Sequence, residues 1–211
     1  MKIVGIIPAR GGSKRLPNKN LADLGGKPLL LWSLDTAIEA KIFDHIFVST
    51  EDEEIGKVAG DYWWKRPPEL AKDDSPSWPI VTNIVERVEA DIYVLLQPTS
   101  PFRTVNDILA SLNLLMFTNG DAVISVSKGP NDLCFQVGHA KRLRVVPEIM
   151  VPNGALYLIT NKAIERGESW YDGILYGYEM PKERSLDIDN GQDLELARYL
   201  ISENRRNNQS S

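Results

Sequence analysis

At 211 residues, 43% hydrophobic and 25% charged, the chain has the length of one domain and the composition of an ordinary globular protein, large enough to bury roughly 70% of its unfolded surface. A net charge of −5 argues against a nucleic-acid partner, and no apolar run is long enough to span a membrane. The single cysteine, Cys134, excludes an internal disulfide, and with only His45 and His139 there is no zinc-like cluster. The N-terminus enters a strand-like run directly, so a cytoplasmic protein is expected, with no nucleic acid and no membrane as partner.

The first run, residues 3–7, is short, apolar, β-branched and bounded by Pro8, which reads as a buried strand of a parallel sheet. The loop after it carries Gly11 and Gly12 side by side and cations at Arg10, Lys14, Arg15 and Lys19. Adjacent glycines let a backbone approach a ligand and turn N–H groups inward, and the cations add positive charge around the same concavity. The pattern is a polyanion cradle at the carboxyl end of a first strand, where open α/β sheets bind ligands. Neither a Walker loop nor a G-x-G-x-x-G fingerprint is present. The plainer alternative is a basic surface loop.

Lys27-Pro28 is expected to open a helix over 28–40, with Leu30, Leu31, Leu34, Ala37 and Ile38 on one apolar face. A second strand over 45–49 is followed by the acidic run 51–54. That run reads as the start of a helix over 53–60, where negative charge is favourable, or less plainly as a metal site. Trp63 and Trp64 read as packing residues, and Arg66 is either a surface ion pair or a ligand contact. A helix over 77–89 leads to a strand over 92–96. The rigid turn Gln97-Pro98-Thr99-Ser100-Pro101-Phe102-Arg103 follows, and Thr104 with Asp107 forms a capping box for a helix over 104–117. A strand over 122–126 precedes an excursion, 127–152, without clear period, before a strand over 155–159.

Near the C-terminus, Leu186-Asp187-Ile188-Asp189 places two carboxylates on one side of an extended segment. Two converging carboxylates repel unless a cation sits between them, and Mg2+ is the natural guest, being held by one or two carboxylates plus substrate phosphates. Asn190 and Asp193 cap a helix over 192–202. Residues 1–203 read as one domain and the polar tail 204–211 as disordered. Strand and helix alternation argues for a mostly parallel sheet covered on both faces.

The run from Pro8-Ala9-Arg10-Gly11-Gly12-Ser13-Lys14 through Leu16-Pro17-Asn18-Lys19-Asn20 resembles the signature loop of the sugar cytidylyltransferases. The branch it is most similar to is the CMP-N-acylneuraminate (sialic and nonulosonic acid) cytidylyltransferases, with their pseudaminic and legionaminic acid relatives. The resemblance implies a Rossmann-like α/β nucleotidyltransferase fold and transfer of CMP from CTP to an acidic 2-keto sugar with Mg2+. It implies catalytic roles for Arg10, Lys19, Asp187 and Asp189, the last two as metal ligands. Ala9, Arg10, Gly11, Gly12, Ser13, Lys14, Lys19 and Asn20 would bind nucleotide, the N–H groups of Gly11–Ser13 cradling the triphosphate. Arg66, within a segment similar to the family's second nucleotide-contacting stretch, would approach the triphosphate, and Ser75 and Ser77 the cytosine.

The Q-P-T-S-P-F-R turn matches a family motif that would set Gln97 and Ser100 beside the acceptor sugar, with Arg103 a nearby cation. Asn153-Gly154-Ala155-Leu156-Tyr157 matches the sugar-side strand, making Asn153 and Tyr157 acceptor contacts; a half-buried strand aromatic is the other reading of Tyr157. The excursion 127–152 resembles a shortened dimerisation arm, so a homodimer is implied, and its Lys141, Arg142 and Arg144 could meet a sugar carboxylate. Val151 departs from the family, which has a basic residue there. A CMP-Kdo synthetase or another sugar nucleotidyltransferase of this fold stays open, as do a non-catalytic CTP-binding regulatory module and a structural protein that binds no nucleotide.

Overall fold

A computed structural model describes residues 1–71, 77–129, 134–137, 142–145 and 149–209. Strand β1 (Ile3–Pro8) is central because both its faces are apolar. Ile3 and Ile7 face one core and Val4 and Ile6 the other, the period-two alternation of a strand covered on both sides. Each fully buried isoleucine contributes about 2 kcal/mol of burial. Gly5 is the exception in the run. A Cβ there would stand 3.2 Å from the Phe43 ring, so the small residue lets that ring cover the sheet.

Strands β4 (His45–Thr50) and β6 (Ile92–Leu96) flank β1 in parallel, and β5 (Trp63–Lys65) extends the sheet beyond β4. On the other side come β10 (Met150–Thr160), β7 (Ala122–Lys128) and β11 (Leu175–Glu179), giving the order β11-β7-β10-β6-β1-β4-β5. Among the described residues β10 is the one strand of this sheet antiparallel to its neighbours. Helices α1 (Leu29–Ala40), α2 (Glu53–Ala59) and α4 (Val105–Thr118) cover one face. The other is covered by α3 (Trp78–Val85) and α5 (Asn161–Glu165), with Trp170. A short hairpin, β2 (Asp23–Leu24) with β3 (Lys27–Pro28), packs on α6 (Gly191–Gln209) in a third cluster around Leu24, Leu29 and Ile188. The α/β reading with a mostly parallel sheet therefore holds. Because β1 lies between β4 and β6, and successive connections leave in opposite directions, its carboxyl end opens into a crevice.

Several local expectations change. Pro28 caps α1 from outside, with ψ of 140°, instead of opening it. Helix α6 runs through Gln209, so residues 204–209 continue it where a disordered tail was expected. Inside the excursion lies an antiparallel hairpin, β8 (Cys134–Val137) with β9 (Arg142–Val145), and β10 begins at Met150, five residues before the expected strand. Its pairing with β7 slips between Pro152 and Tyr157, around Gly154 at φ +79°, which explains why no simple alternation marks its start. The capping box is present: Thr104 Oγ1 accepts from Asp107 N, and Asp107 Oδ2 accepts from Thr104 N at 2.8 Å. Among the described residues no helix is long and apolar enough to cross a membrane.

Candidate active site

The crevice at the carboxyl ends of β1 and β6 is a cleft of about 250 Å³ whose polar walls include Arg10, Lys19, Asn20, Arg66, Ser77, Gln97, Asp187 and Asp189. Pro8, Leu70, Ile80 and Pro98 add apolar surface. A second depression of about 290 Å³, bounded by Arg10, Ser13, Lys14, Arg15, Lys19 and Asp189, shares three of these residues and continues the cleft over the loop.

The loop is held at both ends. Ala9 N donates to Ser49 O at 2.9 Å, prolonging the β1–β4 ladder, and its side chain is in the core. Asn18 then adopts a left-handed conformation, φ 54°, and turns the chain into a 3-10 turn over Lys19–Leu21. Asn tolerates that conformation better than most residues. Asn20, 4% exposed, donates from Nδ2 to Arg10 O at 2.9 Å and so ties the turn back to the start of the loop. Its Oδ1 has no partner among the described residues. Lys19 Nζ reaches across to Asp189 Oδ1 at 3.3 Å, and Arg15 Nη1 to Asp189 Oδ2 at 3.2 Å.

The two carboxylates stand as the alternation requires. Ile188 is fully buried beneath Asp187 and Asp189, and its N–H donates to Thr99 O at 2.8 Å, which pins the segment to the turn after β6. Asp187 keeps solvent access along the cleft, yet surrounding protein crowds it. Loss of hydration there, with Asp189 nearby, holds its carboxyl above the usual carboxylate range, although a hydrogen bond from Thr99 and the charge of Lys19 pull the other way. Asn190 and Asp193 serve as caps: Asn190 Oδ1 accepts from Gln192 N, and Asp193 Oδ2 from Asp189 N at 2.9 Å. Two carboxylates lining one open cleft are a donor set suited to a hard divalent cation. Among the described residues no group of three or more Asp, Glu, His or Cys side chains is placed to hold a metal ion, so a substrate phosphate would have to complete the shell.

Other expected residues take different places. Gly11 N donates to Glu51 Oε1 at 2.8 Å and Ser13 N to Gly11 O, so two of the three loop amides expected at a triphosphate are committed within the protein. Arg66 lines the cleft but is 3% exposed. It donates from Nη2 to Ser49 O at 2.5 Å and faces Glu51 Oε2 at 3.5 Å. Burial lowers its pKa, Glu51 opposes that, and Arg10 reinforces it. Arg66 is thus chiefly part of the wall.

Ser100 is 1% exposed and outside the cleft lining, and its Oγ has no partner among the described residues. Arg103 is structural: buried, donating to Ala155 O at 2.5 Å, its pKa lowered by burial to about 10. Asn153 spends its amide on Ser125 and Ser185 and so fixes the kink in β10. Tyr157 packs on Trp170, ring centres 5.5 Å apart, as a half-buried strand aromatic. Burial, with Tyr171 nearby, raises its phenol, and it does not line the cleft. Ser75 and Lys141 lie outside the described residues. Arg142 and Arg144 lie on β9.

Sequence reasoning gave no role to Thr99 or Glu51. Thr99 sits inside a recognised motif, so the signal was present. Glu51 was absorbed into the acidic start of α2, whose cap is in fact Asp52, accepting from Glu54 N and Ile55 N.

Comparison with known proteins agrees with this geometry. Residues 4–138 match the family described as cytidylyltransferase. The N-acylneuraminate cytidylyltransferase of Escherichia coli is 32% identical over 93% of this chain, and the one from Streptococcus agalactiae serotype III is 36% identical over 92%. The chain spans about half the length of these relatives, 51% and 52%. The CMP-N,N'-diacetyllegionaminic acid synthase of Legionella pneumophila is 32% identical, with 97% of this chain and 98% of that one covered. Among solved structures, a CMP:2-keto-3-deoxy-manno-octonic acid synthetase complexed with CTP superposes with a TM-score of 0.74 over 97% of this chain and 100% of that one. At 18% identity, that likeness establishes the shared fold alone.

Proposed function

This chain belongs to the cytidylyltransferase family, and from that premise we propose that it transfers CMP from CTP to the anomeric hydroxyl of an acidic 2-keto sugar of the sialic, pseudaminic or legionaminic type, releasing pyrophosphate. One observation carries the reading. A basic loop and a pair of carboxylates face each other across one cleft and meet at the 3.3 Å contact of Lys19 with Asp189. Similarity to enzymes named for CMP-sugar synthesis supports the sugar class.

In this proposal the sugar hydroxyl attacks the α-phosphorus in line and pyrophosphate departs, with no covalent enzyme intermediate. Such chemistry depends on positioning and charge neutralisation. Arg10, Lys14 and Lys19 neutralise the triphosphate, with Lys19 nearest the α-phosphate. Asn20 offers its unpartnered Oδ1 to the nucleotide. Leu70, Ile80 and Ser77 form the wall for the base, and Gln97 faces the acceptor. Asp187 and Asp189 would hold Mg2+, which when bound neutralises phosphate charge and lowers the pKa of oxygens it touches. The cytoplasm is the proposed compartment, the single cysteine suiting a reducing one. A homodimer is the proposed assembly, and light scattering on dilution tests it.

Pyrophosphate release with Mg2+ tests the activity, using CTP, UTP, ATP and GTP against N-acetylneuraminate, a pseudaminic or legionaminic acid, and Kdo. CTP-dependent release with a nine-carbon acid is the expected result. Release with Kdo alone would move the protein to the sister branch. No release with any pair would overturn the reading.

A further inference from the structure

The acidic run after β4 contains one member that does not serve the helix. Asp52 caps α2, and Glu53 and Glu54 occupy its first turn. Glu51 precedes the cap and turns toward β1 instead. The β1–β4 register pairs Pro8 with Ser49, and Ala9 N donates to Ser49 O. In a parallel ladder the next bond would run from Gly11 N to the backbone oxygen of Glu51. Here the Glu51 side chain takes its place, Oε1 accepting from Gly11 N at 2.8 Å. The strand pairing is thereby carried one step past the sheet while the backbone of the loop swings free of β4.

The other oxygen, Oε2, lies 3.5 Å from Arg66 Nη2, on the next strand end but one. Arg66 is itself anchored where β5 ends: its N–H donates to Thr50 O at 2.9 Å and its Nη2 to Ser49 O. One carboxylate therefore spans the ends of β1 and β5 above β4. It compensates a buried cation that Arg10 would otherwise oppose.

We infer that Glu51 is a positioning residue for nucleotide binding. Its hydrogen bond to Gly11 fixes the loop in the conformation that turns Arg10 into the cleft, and its charge keeps Arg66 in the wall. This rests on the proposed cytidylyl transfer. Glu51 touches neither nucleotide nor acceptor in this role, so its removal acts through the loop.

Three variants separate the parts. Glu51→Ala removes hydrogen bond and charge, Glu51→Gln keeps an acceptor of the same length, and Glu51→Asp keeps the charge but withdraws the acceptor by one methylene. Exchange of the Gly11 amide with solvent is followed by NMR, and KM for CTP and kcat by pyrophosphate release. In Glu51→Ala and Glu51→Asp, the Gly11 amide is expected to exchange at least tenfold faster and KM for CTP to rise about tenfold, the worth of one hydrogen bond to a charged acceptor. The kcat should change much less. In Glu51→Gln the Gly11 amide is expected to exchange within about threefold of the parent, since the acceptor is kept, while KM for CTP falls between the parent and Glu51→Ala, since the charge beside Arg66 is lost. A purely structural acid would lower melting temperature in all three without this pattern. Unchanged Gly11 exchange and KM in Glu51→Asp would overturn the inference, as would a Gly11 amide that exchanges as fast in Glu51→Gln as in Glu51→Ala. Should Glu51→Ala not fold, the Asp and Gln variants decide alone. If the parent releases no pyrophosphate with any substrate pair, the functional reading fails, and Gly11 exchange still shows whether Glu51 holds the loop.

Discussion

Gly11 and Gly12 are adjacent, yet the structure asks different things of them. Neither needs a left-handed backbone, so space alone decides what each position tolerates. A Cβ on Gly11 would stand 2.4 Å from Asp52 Oδ2, 2.9 Å from its Cβ and 3.0 Å from its Cγ, whereas one on Gly12 would meet nothing within 4 Å. Asp52 cannot simply rotate away, because its Oδ1 caps α2 through Glu54 N and Ile55 N. Gly11→Ala must therefore either unseat that cap or push the loop off Glu51. Loss of a cap costs about 1 kcal/mol, and loss of a hydrogen bond to a carboxylate about 1.5–3 kcal/mol. The cheaper route sets the outcome, so Gly11→Ala is expected to destabilise by about 1–2 kcal/mol, or roughly 3–6 °C in Tm for a chain of this size. Affinity for CTP should fall about two- to threefold where the cap gives way and about tenfold where the loop is pushed off Glu51. Gly12→Ala is the matched control and should melt within about 1 °C of the parent, as open surface substitutions do. Thermal melts and calorimetric titration with CTP check both variants. Equal damage from the two, or a Gly11→Ala protein with parental Tm and affinity, would refute the steric reasoning.

Lys19→Ala should lower turnover by roughly 10²-fold, the worth of one preorganised contact to developing charge, and unchanged kinetics would remove that role. Asp187→Asn should shift the Mg2+ titration of pyrophosphate release to higher concentration, and superimposable titrations would count against the metal site. A pH effect follows from Asp107, fully buried and bonded to Arg184 at 2.6 Å, to Tyr178 and to Thr104. Burial pushes its pKa up, but these bonds outweigh that and hold it below the ordinary value. A depressed pKa means stability that is present above the unfolded value of about 4 and lost as pH falls through the lower, folded one. Asp107→Asn should accordingly cost about 2–3 kcal/mol at pH 7, less than a fully buried pair because Arg184 is partly exposed. The deficit should shrink as pH drops below about 4 in melting experiments, and a deficit independent of pH would refute the charge argument.

How much of the site was legible depended on whether its cause was local. The strand 3–7, the loop glycines and cations, the capping box and the paired aspartates each declare themselves within about ten residues, because alternation, backbone space and like-charge repulsion act over that range. The Asp-x-Asp segment is a good instance. Ile188 reads as core, and its burial turns both neighbours outward. Glu51 was illegible for the opposite reason. Its partners are 40 and 15 positions away and meet it only because β4 lies between β1 and β5. For Arg66 and Ser100 the residue types were legible but their burial was not: Arg66 lines the cleft while donating to Ser49 O, and Ser100 is 1% exposed. Strand β11 gave little signal because it is an edge strand on which only Leu175 and Tyr178 pack inward.

The electrostatics of the cleft also bear on what it can select. Asp189 already receives Lys19 and Arg15, so its charge is compensated from within the protein. A bare polyanion entering the loop would gain the cations but meet Asp187 and Asp189 at the far wall, and a bare divalent cation would meet the reverse. Each loses to the repulsive side much of what it gains from the attractive one. A cation already chelated by polyphosphate presents positive charge to the carboxylates and negative charge to the loop, and only that combination is favoured at both walls. The Lys19–Asp189 contact would keep the two walls in register until such a ligand replaced it, so the pairing seen here and the proposed metal–nucleotide specificity would have the same physical origin.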